Sequence, residues 1–485
     1  GKMSLSTALS IAQNSLLNTQ RQTSVVSKNM ANAYNADYSR RSAVISSLAS
    51  GSQVATISRA TNAALFKQNL TATSSWMAQS TIVGGLDRLN LSVNGIDNAT
   101  SPAALIGVLQ NALQVYSGTP SNRTLAENSI EAARQVVLGL NQGTSAIQAF
   151  RTDLDSQIAA SVAELNQLLS DFKTVNDKVV SGTASNRDVL DELDRRDALL
   201  KKISELVPVS TITRANDDIM IVTADGSTLF ETIPRHVHFE PTPAYGPTTV
   251  GNNIRVDGVP LFAATGANTT ASGSLAAMVQ LRDEYADGLQ LQLDEIARGL
   301  VNAFAETDPN PPHAQATGLF SLPGTPPVAL PGATGLTGLA GQIRLNALVD
   351  PSQGGDAQKL RDGINFNFNT AGHASFNELL LGYSEGLDTA GSFVGPGGAT
   401  ANTSLKDYSA ATVGWLEDAR KTAAGAAENK SALVLRTTEA LSNITSVNID
   451  EEMALMLELE HSYSASAKML QVIDEMLKTL LAAVR

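Results

Sequence analysis

Residues 447–485 read VNIDEEMALMLELEHSYSASAKMLQVIDEMLKTLLAAVR, and within them Ile449, Met456, Tyr463, Leu470, Leu477 and Val484 recur every seven residues. Met453, Leu459, Ala467, Ile473 and Leu480 fill companion positions, which makes the stretch a heptad seam. A helix from Ile449 to Val484 is roughly 50 Å long at the usual rise, longer than one small domain covers. Its apolar stripe needs a partner. The candidates are the opposite terminus of the chain and the same helix in neighbouring subunits, which points to assembly rather than catalysis.

The N-terminus carries a weaker, more polar seam. Leu5, Ala12, Thr19, Val26 and Ala33 form one row of seven-residue spacing, and Leu9, Leu16, Thr23 and Met30 form the second. Between the two ends the chain reads as a separate globular body. With 485 residues and 43% hydrophobic content it holds several domains and ample core. The net charge of -13, without any run of Lys or Arg, argues against a surface that tracks nucleic-acid phosphates. Cysteine is absent, so there is no disulfide framework, thiolate zinc site or thiol nucleophile. Gly1-Lys2-Met3 reads as a tag remnant before a native start, and no basic-then-apolar leader follows it. No stretch approaches the ~18 continuous apolar residues of a membrane helix, so membrane insertion is not expected.

The pattern along the chain predicts a mainly α fold with β insertions (α+β): terminal coiled-coil helices, a central helical bundle and an outward β-rich domain. Residues 1–59 read as the N-terminal helix and an arm, the helix ending where Asn29, Asn32, Asn35 and Asp37 cluster. Residues 60–208 form the first part of the bundle, with a break expected at Ser181-Gly182 and an end at Pro208. A β-rich insertion follows over 209–271, marked by Ile219-Met220-Ile221-Val222 and by Asp225-Gly226 and Asp257-Gly258 turns. The bundle returns over 272–307, a Pro/Gly-rich and β outer insertion occupies 308–398, and residues 399–446 complete the bundle before the C-terminal helix of 447–485. Helices before and after each insertion share one core, which brings the termini to the same end and lets their seams pair antiparallel. The body from about 60 to 445 is expected to fold without the terminal helices.

Three stretches resemble the flagellar hook-associated protein 1 family, the first hook–filament junction proteins, within the bacterial flagellar axial proteins. Asn29-Met30-Ala31-Asn32-Ala33-Tyr34-Asn35-Ala36-Asp37-Tyr38-Ser39-Arg40 looks like the axial N-terminal motif, with Asp37 where that family has Gly. Val447 to Glu452, continuing through Tyr463-Ser464-Ala465-Ser466-Ala467-Lys468 and Asp474 to Leu481, is similar to the family's C-terminal signature. Leu193-Asp194-Arg195-Arg196-Asp197 with Ile203 to Val207, and Ser272-Gly273-Ser274-Leu275 with Leu281-Arg282-Asp283, resemble its inner helices. The resemblance is weak over 228–266 and 308–398.

The resemblance implies a structural, non-enzymatic protein of the bacterial flagellum, extracellular after type III export without a cleaved signal peptide. It implies that copies of the chain assemble into a tubular zone between the hook protein and the second junction protein. It further implies a cytoplasmic export chaperone at the C-terminal helix, with no cofactor. The expected assembly interface is Leu9, Leu16, Met30, Tyr38, Arg40, Ile449, Met456, Tyr463, Leu470 and Leu477. Another axial protein, of the hook or distal rod, is the nearest alternative; a secreted adhesin or enzyme with activity in the β insertions is a more distant one.

Ordinary readings apply to the other chemically suggestive residues. Asp450-Glu451-Glu452 open the last helix and offset its dipole. Asp191, Asp194, Arg195 and Asp197 read as a solvated ion-pair face. His236 and His238 alternate on one strand face without an evident third metal ligand. Gly335, Gly338 and Gly341 lie in a loop-rich neighbourhood, and no Gly-x-x-x-x-Gly-Lys-Ser/Thr, Gly-x-Ser-x-Gly or His-Glu-x-x-His sequence occurs.

Overall fold

The structure is a computed structural model that describes residues 4–47, 53–262, 272–311, 313–332, 336–396 and 400–484. Gly1-Lys2-Met3, Gly335 and parts of the two insertions fall outside the described residues. In chain order the elements begin with α1 (Leu5–Ala31), β1 (Arg41–Ser47), β2 (Gln53–Arg59), α2 (Ala63–Leu89), α3 (Pro102–Gly118), α4 (Arg123–Ala184) and α5 (Leu190–Leu206). Short strands follow: β3 (Val209–Thr213), β4 (Ile219–Thr223), β5 (Thr228–Glu231), β6 (Ile233–Pro234), β7 (Val237–His238), β8 (Arg255–Val256) and β9 (Val259–Pro260). Next come α6 (Ser274–Gln280), α7 (Ala286–Ala303), β10 (Phe320–Ser321), α8 (Leu339–Gln342), β11 (Arg344–Leu345), α9 (Lys359–Asp362) and α10 (Glu378–Gly386). The chain closes with β12 (Ala390–Phe393), β13 (Thr400–Ser404), α11 (Leu405–Thr445) and α12 (Ile449–Ala483). The fold is mainly α with small antiparallel sheets.

Two compact units divide these elements. The first gathers residues 1–74, 166–235 and 430–485, and the second residues 75–165 and 236–429. The segment 209–271 is therefore shared out: β3 to β6 form an antiparallel meander in the first unit, and β7 to β9 a small sheet in the second. The terminal helices belong to the same unit as α5, so a body cut at 60 and 445 parts α5 from its neighbours.

Three features of the first unit differ from the sequence expectation for physical reasons. The arm of residues 41–59 is a hairpin, β1 pairing with β2 from Arg41 opposite Arg59 to Ser47 opposite Gln53. Helix α4 does not stop at Ser181-Gly182 but runs to Ala184. Gly182 serves close approach there: a Cβ would stand 2.2 Å from Val189 Cγ1, so a side chain is excluded where the chain folds back toward α5. The turn is made at Asn186, whose φ of 53° is left-handed. Leu169, Phe172, Val175 and Val179 of α4 are fully covered, and Phe172 meets Phe230 of β5 edge to face at 5.0 Å.

In the second unit, irregular segments are held to the helices through their main chain. Asp155 of α4 is fully buried; it receives Thr242 N at 2.9 Å, the Tyr245 hydroxyl at 2.8 Å and Arg282 Nη1 at 2.9 Å. Arg151, also buried, donates to Thr249 O at 2.8 Å and lies over the Tyr245 ring. Asp294 of α7 accepts the N–H groups of Gly338 and Ala340, both at 2.9 Å. Glu306 accepts those of Ile364 and Asn365 at 2.9 and 2.8 Å. Burial pushes both carboxyls up from the usual range, against the pull of those N–H bonds. Such segments lack ladders of their own; Asp294 and Glu306 each satisfy two main-chain donors and Asp155 one.

Asp350 is the opposite case. Its carboxylate takes two bonds from Arg134, at 2.7 and 2.9 Å, and caps residues 351–353 through Ser352 N. The Arg134 bonds hold its pKa well below the ordinary carboxylate value. A depressed pKa contributes stability that is complete above the unfolded value, about pH 4, and is lost as the pH falls through the folded one. Asp350→Asn is therefore expected to unfold at lower denaturant than wild type at neutral pH, with the two curves converging in acid. Urea titrations at several pH values check this; parallel curves would contradict it.

Candidate assembly interface

α1 and α12 lie side by side and antiparallel. Ser15 meets Ser466 at 3.1 Å, and Asn29 Nδ2 donates to Glu452 Oε2 at 3.2 Å. The N-terminus of α1 is capped by Ser4, whose Oγ accepts Thr7 N, and that of α12 by Asn448, which accepts from Asp450 N and Glu451 N. The most covered row of α12 is Glu452, Leu459, Ser466 and Ile473, one position round the helix from Met453 and Ala467 of the expected companion row. On α1 the covered residues are Ala12, Asn18, Thr19, Val25, Val26 and Asn29. The seam is closed by small and polar side chains as much as by large apolar ones.

The expected interface residues fall around this seam. Leu9, Leu16, Met30, Ile449, Met456, Leu470 and Leu477 are half-buried along it, Tyr463 is exposed, Tyr38 is buried and Arg40 is half-buried. α12 keeps a second apolar surface in solvent: Met469, Val472, Met476, Leu480, Leu481 and Val484 are each more than half exposed. Because the two cross-helix contacts fix the antiparallel level, the start of α1 stands opposite Met476, and Leu480 and Leu481 extend past it.

The tightest chemistry of the unit sits at the other end of the seam. Glu452, with no exposed surface, accepts Arg40 Nε at 2.6 Å as well as Asn29 Nδ2. Asn29 also accepts the Tyr38 hydroxyl at 2.6 Å and Arg41 N at 2.9 Å, and donates to Arg41 O at 2.8 Å. Arg40 N reaches Thr445 O at 2.7 Å, tying the motif to the end of α11. Arg41, 2% exposed, donates to Asp194 at 2.7 Å and Asp191 at 2.9 Å, with its guanidinium 4.4 Å from the Tyr38 ring centroid. Arg59 of β2 reaches Asp194 at 3.1 Å and Asp197 at 2.6 Å. Burial pushes the Tyr38 hydroxyl up to about 12. The Lys28 ammonium, hydrogen-bonded to Asp191, holds that carboxyl below its usual value.

Two ordinary readings of the sequence are corrected here. Asp450 and Glu451 are a helix start, but Glu452 is a buried acceptor. Of Asp191, Asp194, Arg195 and Asp197 on α5 only Asp191 and Arg195 are exposed; Asp194 is buried between Arg41 and Arg59. The cue for Glu452 is its place seven residues before Leu459, and Arg41 had none beyond adjacency to the motif. Asp37 makes no left-handed turn: its φ is not positive, and its N–H bonds Asn35 Oδ1 at 3.1 Å. His236 and His238 are exposed with rings 6.3 Å apart, and among the described residues no three His, Cys, Asp or Glu gather as a metal site.

Two segments of the chain match models of known families. Residues 88–315 match the model of the flagellar hook-associated protein FlgK helical domain. Residues 442–483, almost all of them in α12, match that of the flagellar basal body rod FlgEFG protein C-terminal region. Flagellar hook-associated protein 1 of Bacillus subtilis is 22% identical over 421 residues, covering 79% of this chain and 77% of that protein. The flagellar hook junction protein FlgK from Burkholderia pseudomallei, a solved structure, superposes with a TM-score of 0.41 and 20% identity. That match covers 53% of this chain and 46% of the solved one. With paired terminal helices that flank the helical body in sequence, the chain is a structural protein of the bacterial flagellar axis. It is similar to flagellar hook-associated protein 1 through the helical-domain match over residues 88–315 and the Bacillus subtilis relative, and is a structural protein of the hook–filament junction.

Removing one partner of a buried ion pair leaves an uncompensated charge, at a cost of about 3–5 kcal/mol. Arg41→Ala, which strands Asp194 beside Arg59, is expected at or just below the low end of that range. Urea denaturation of wild type, Arg41→Ala, Asp194→Asn and the double variant measures it. Additive single effects would mean that the two residues are not coupled.

Proposed function

We propose that this protein assembles with copies of itself into a short tube between hook and filament, and that the terminal helix pair supplies the contact surface. The supporting observation is the apolar surface of α12 left uncovered by α1, from Met469 to Val484. Each large apolar side chain there gains about 1.5–3 kcal/mol on full burial. A lone subunit leaves that gain unrealised, and neighbouring copies supply the cover. The hook protein on one side and the second junction protein on the other complete the stack. Delivery runs through the flagellar type III apparatus, with an export chaperone on the C-terminal helix, and no catalytic step is involved.

Leu470, chosen by the sequence pattern, is half-buried in the seam, so a charge there also strains the subunit itself. Leu480 separates the two effects, being 60% exposed and beyond the start of α1. Leu480→Asp is expected to leave the melting curve and far-UV spectrum of the free protein unchanged. Hooks from a deletion strain, which should lack filaments and lose flagellin to the medium, are then supplied with purified protein. Wild type should restore filament growth and Leu480→Asp should not; full restoration by the variant would remove α12 from the assembly surface.

A further inference from the structure

The seam between α1 and α12 is nearly self-similar under a shift of one heptad. Ala12, Thr19 and Val26 are covered at seven-residue intervals on α1, and Leu459, Ser466 and Ile473 at the same interval on α12. Sliding one helix by seven residues lays each row back on the other, with small and apolar residues again facing small and apolar residues. Packing of this kind discriminates poorly between registers, the situation in which paired helices use a buried polar residue to choose one. The two observed cross-helix polar contacts, Ser15 to Ser466 and Asn29 to Glu452, are separated by fourteen residues on each helix, two whole heptads.

We propose that Glu452 is a register lock: the buried carboxylate, held between Asn29 and Arg40, selects the one alignment of α1 on α12 and thereby sets how far the apolar end of α12 reaches past α1. Glu452 occupies the same row as Leu459, Ser466 and Ile473, so it is the single carboxylate among the covered residues of α12. Its partners occur at one level only. Asn29 is immobilised by Tyr38 and by both polar groups of the Arg41 backbone, and Arg40 is anchored through its N–H on Thr445 O. A slip of one heptad moves the carboxylate to the level of Gln22 in one direction and beyond Ala31, the last residue of α1, in the other. Either way it stays in the seam without Arg40, and a buried carboxylate without its partners is strongly disfavoured. Ser15 and Ser466 discriminate little, because two hydroxyls find other acceptors on a helix easily. The consequence is mechanical. One heptad is roughly 10 Å of helix, so the lock decides whether Met476, Leu480 and Leu481 project from the pair or are drawn alongside α1.

The chain has no cysteine, so paired cysteines report register without background. Three full-length proteins carry Ser466→Cys with Ser15→Cys, Ala8→Cys or Gln22→Cys, the last two lying one heptad to either side of the native level. Mild oxidation of the dilute monomer, scored by gel shift and peptide mapping, is expected to close the Ser15 pair and leave the others largely open. Adding Glu452→Leu should raise the Ala8 or Gln22 cross-link severalfold at the expense of the Ser15 pair, and Glu452→Gln, which keeps the bond to Asn29 and loses the charge on Arg40, should fall between. Far-UV spectra and melting curves verify that each protein is folded, and Glu452→Gln carries the test if Glu452→Leu is not. Exclusive closure of the Ser15 pair in both folded variants would show that the chain connections set the register and would overturn the lock. Equal closure of all three pairs with Glu452 intact would do the same. The measurement uses free monomer and no hooks, so the assembly reading stands or falls separately.

Discussion

Everything at the terminal end of this molecule depends on carboxylates that have been taken out of water and surrounded by arginine and amide donors. Asp194 lies between Arg41 and Arg59, and Glu452 between Arg40 and Asn29. Together they join the N-terminal motif, the hairpin, α5 and the last helix in one connected set of bonds. Burying such charges is costly, and the cost is offset only while every partner is in place. Loss of any one partner therefore leaves another buried charge uncompensated. The set's contribution is specificity of arrangement more than net stability.

The same chemistry does different work in the helical body. Asp155, Asp294 and Glu306 receive main-chain N–H groups from segments that have almost no regular structure. Reading the backbone makes few demands on the side chains of the segment that is held. The weak resemblance over 228–266 and 308–398 is consistent with that economy, since Asp155 and Asp294 lie on α4 and α7 and Glu306 just past the end of α7, outside those segments. Where a side chain in such a segment is constrained, the reason is local: a Cβ on Gly251 would stand 2.5 Å from Arg282 Cζ and 2.7 Å from the Tyr245 hydroxyl.

Much of the architecture was legible because its signals are periodic. The heptads of 449–484, the helical rows of α4 and the β-branched run 219–222 each repeat often enough to identify their element. Breaks were less legible. Gly182 looked like a helix end and is a contact point, because a glycine's absence of side chain serves tight packing as well as it serves a turn. Leu459 and Ile473 of the companion row are covered as expected, but Glu452 and Ser466 take the covered places given to Met453 and Ala467, since hydropathy alone does not foresee a carboxylate and a hydroxyl there.

By itself the sequence determined the class of element at each end, the inserted order of helix and β segments, the absence of thiol chemistry and, through three short motifs, a resemblance to flagellar axial proteins. These are properties of single segments and of local composition. Only the tertiary structure decided which charges are buried, because burial depends on what another segment brings to the same place: Asp194 stands 153 residues from Arg41, and Glu452 stands 412 from Arg40. An Asp on a helix reads the same in either case. Its partner turns it from a solvated face into a structural constraint, and partnership across such separations is a fact of the fold.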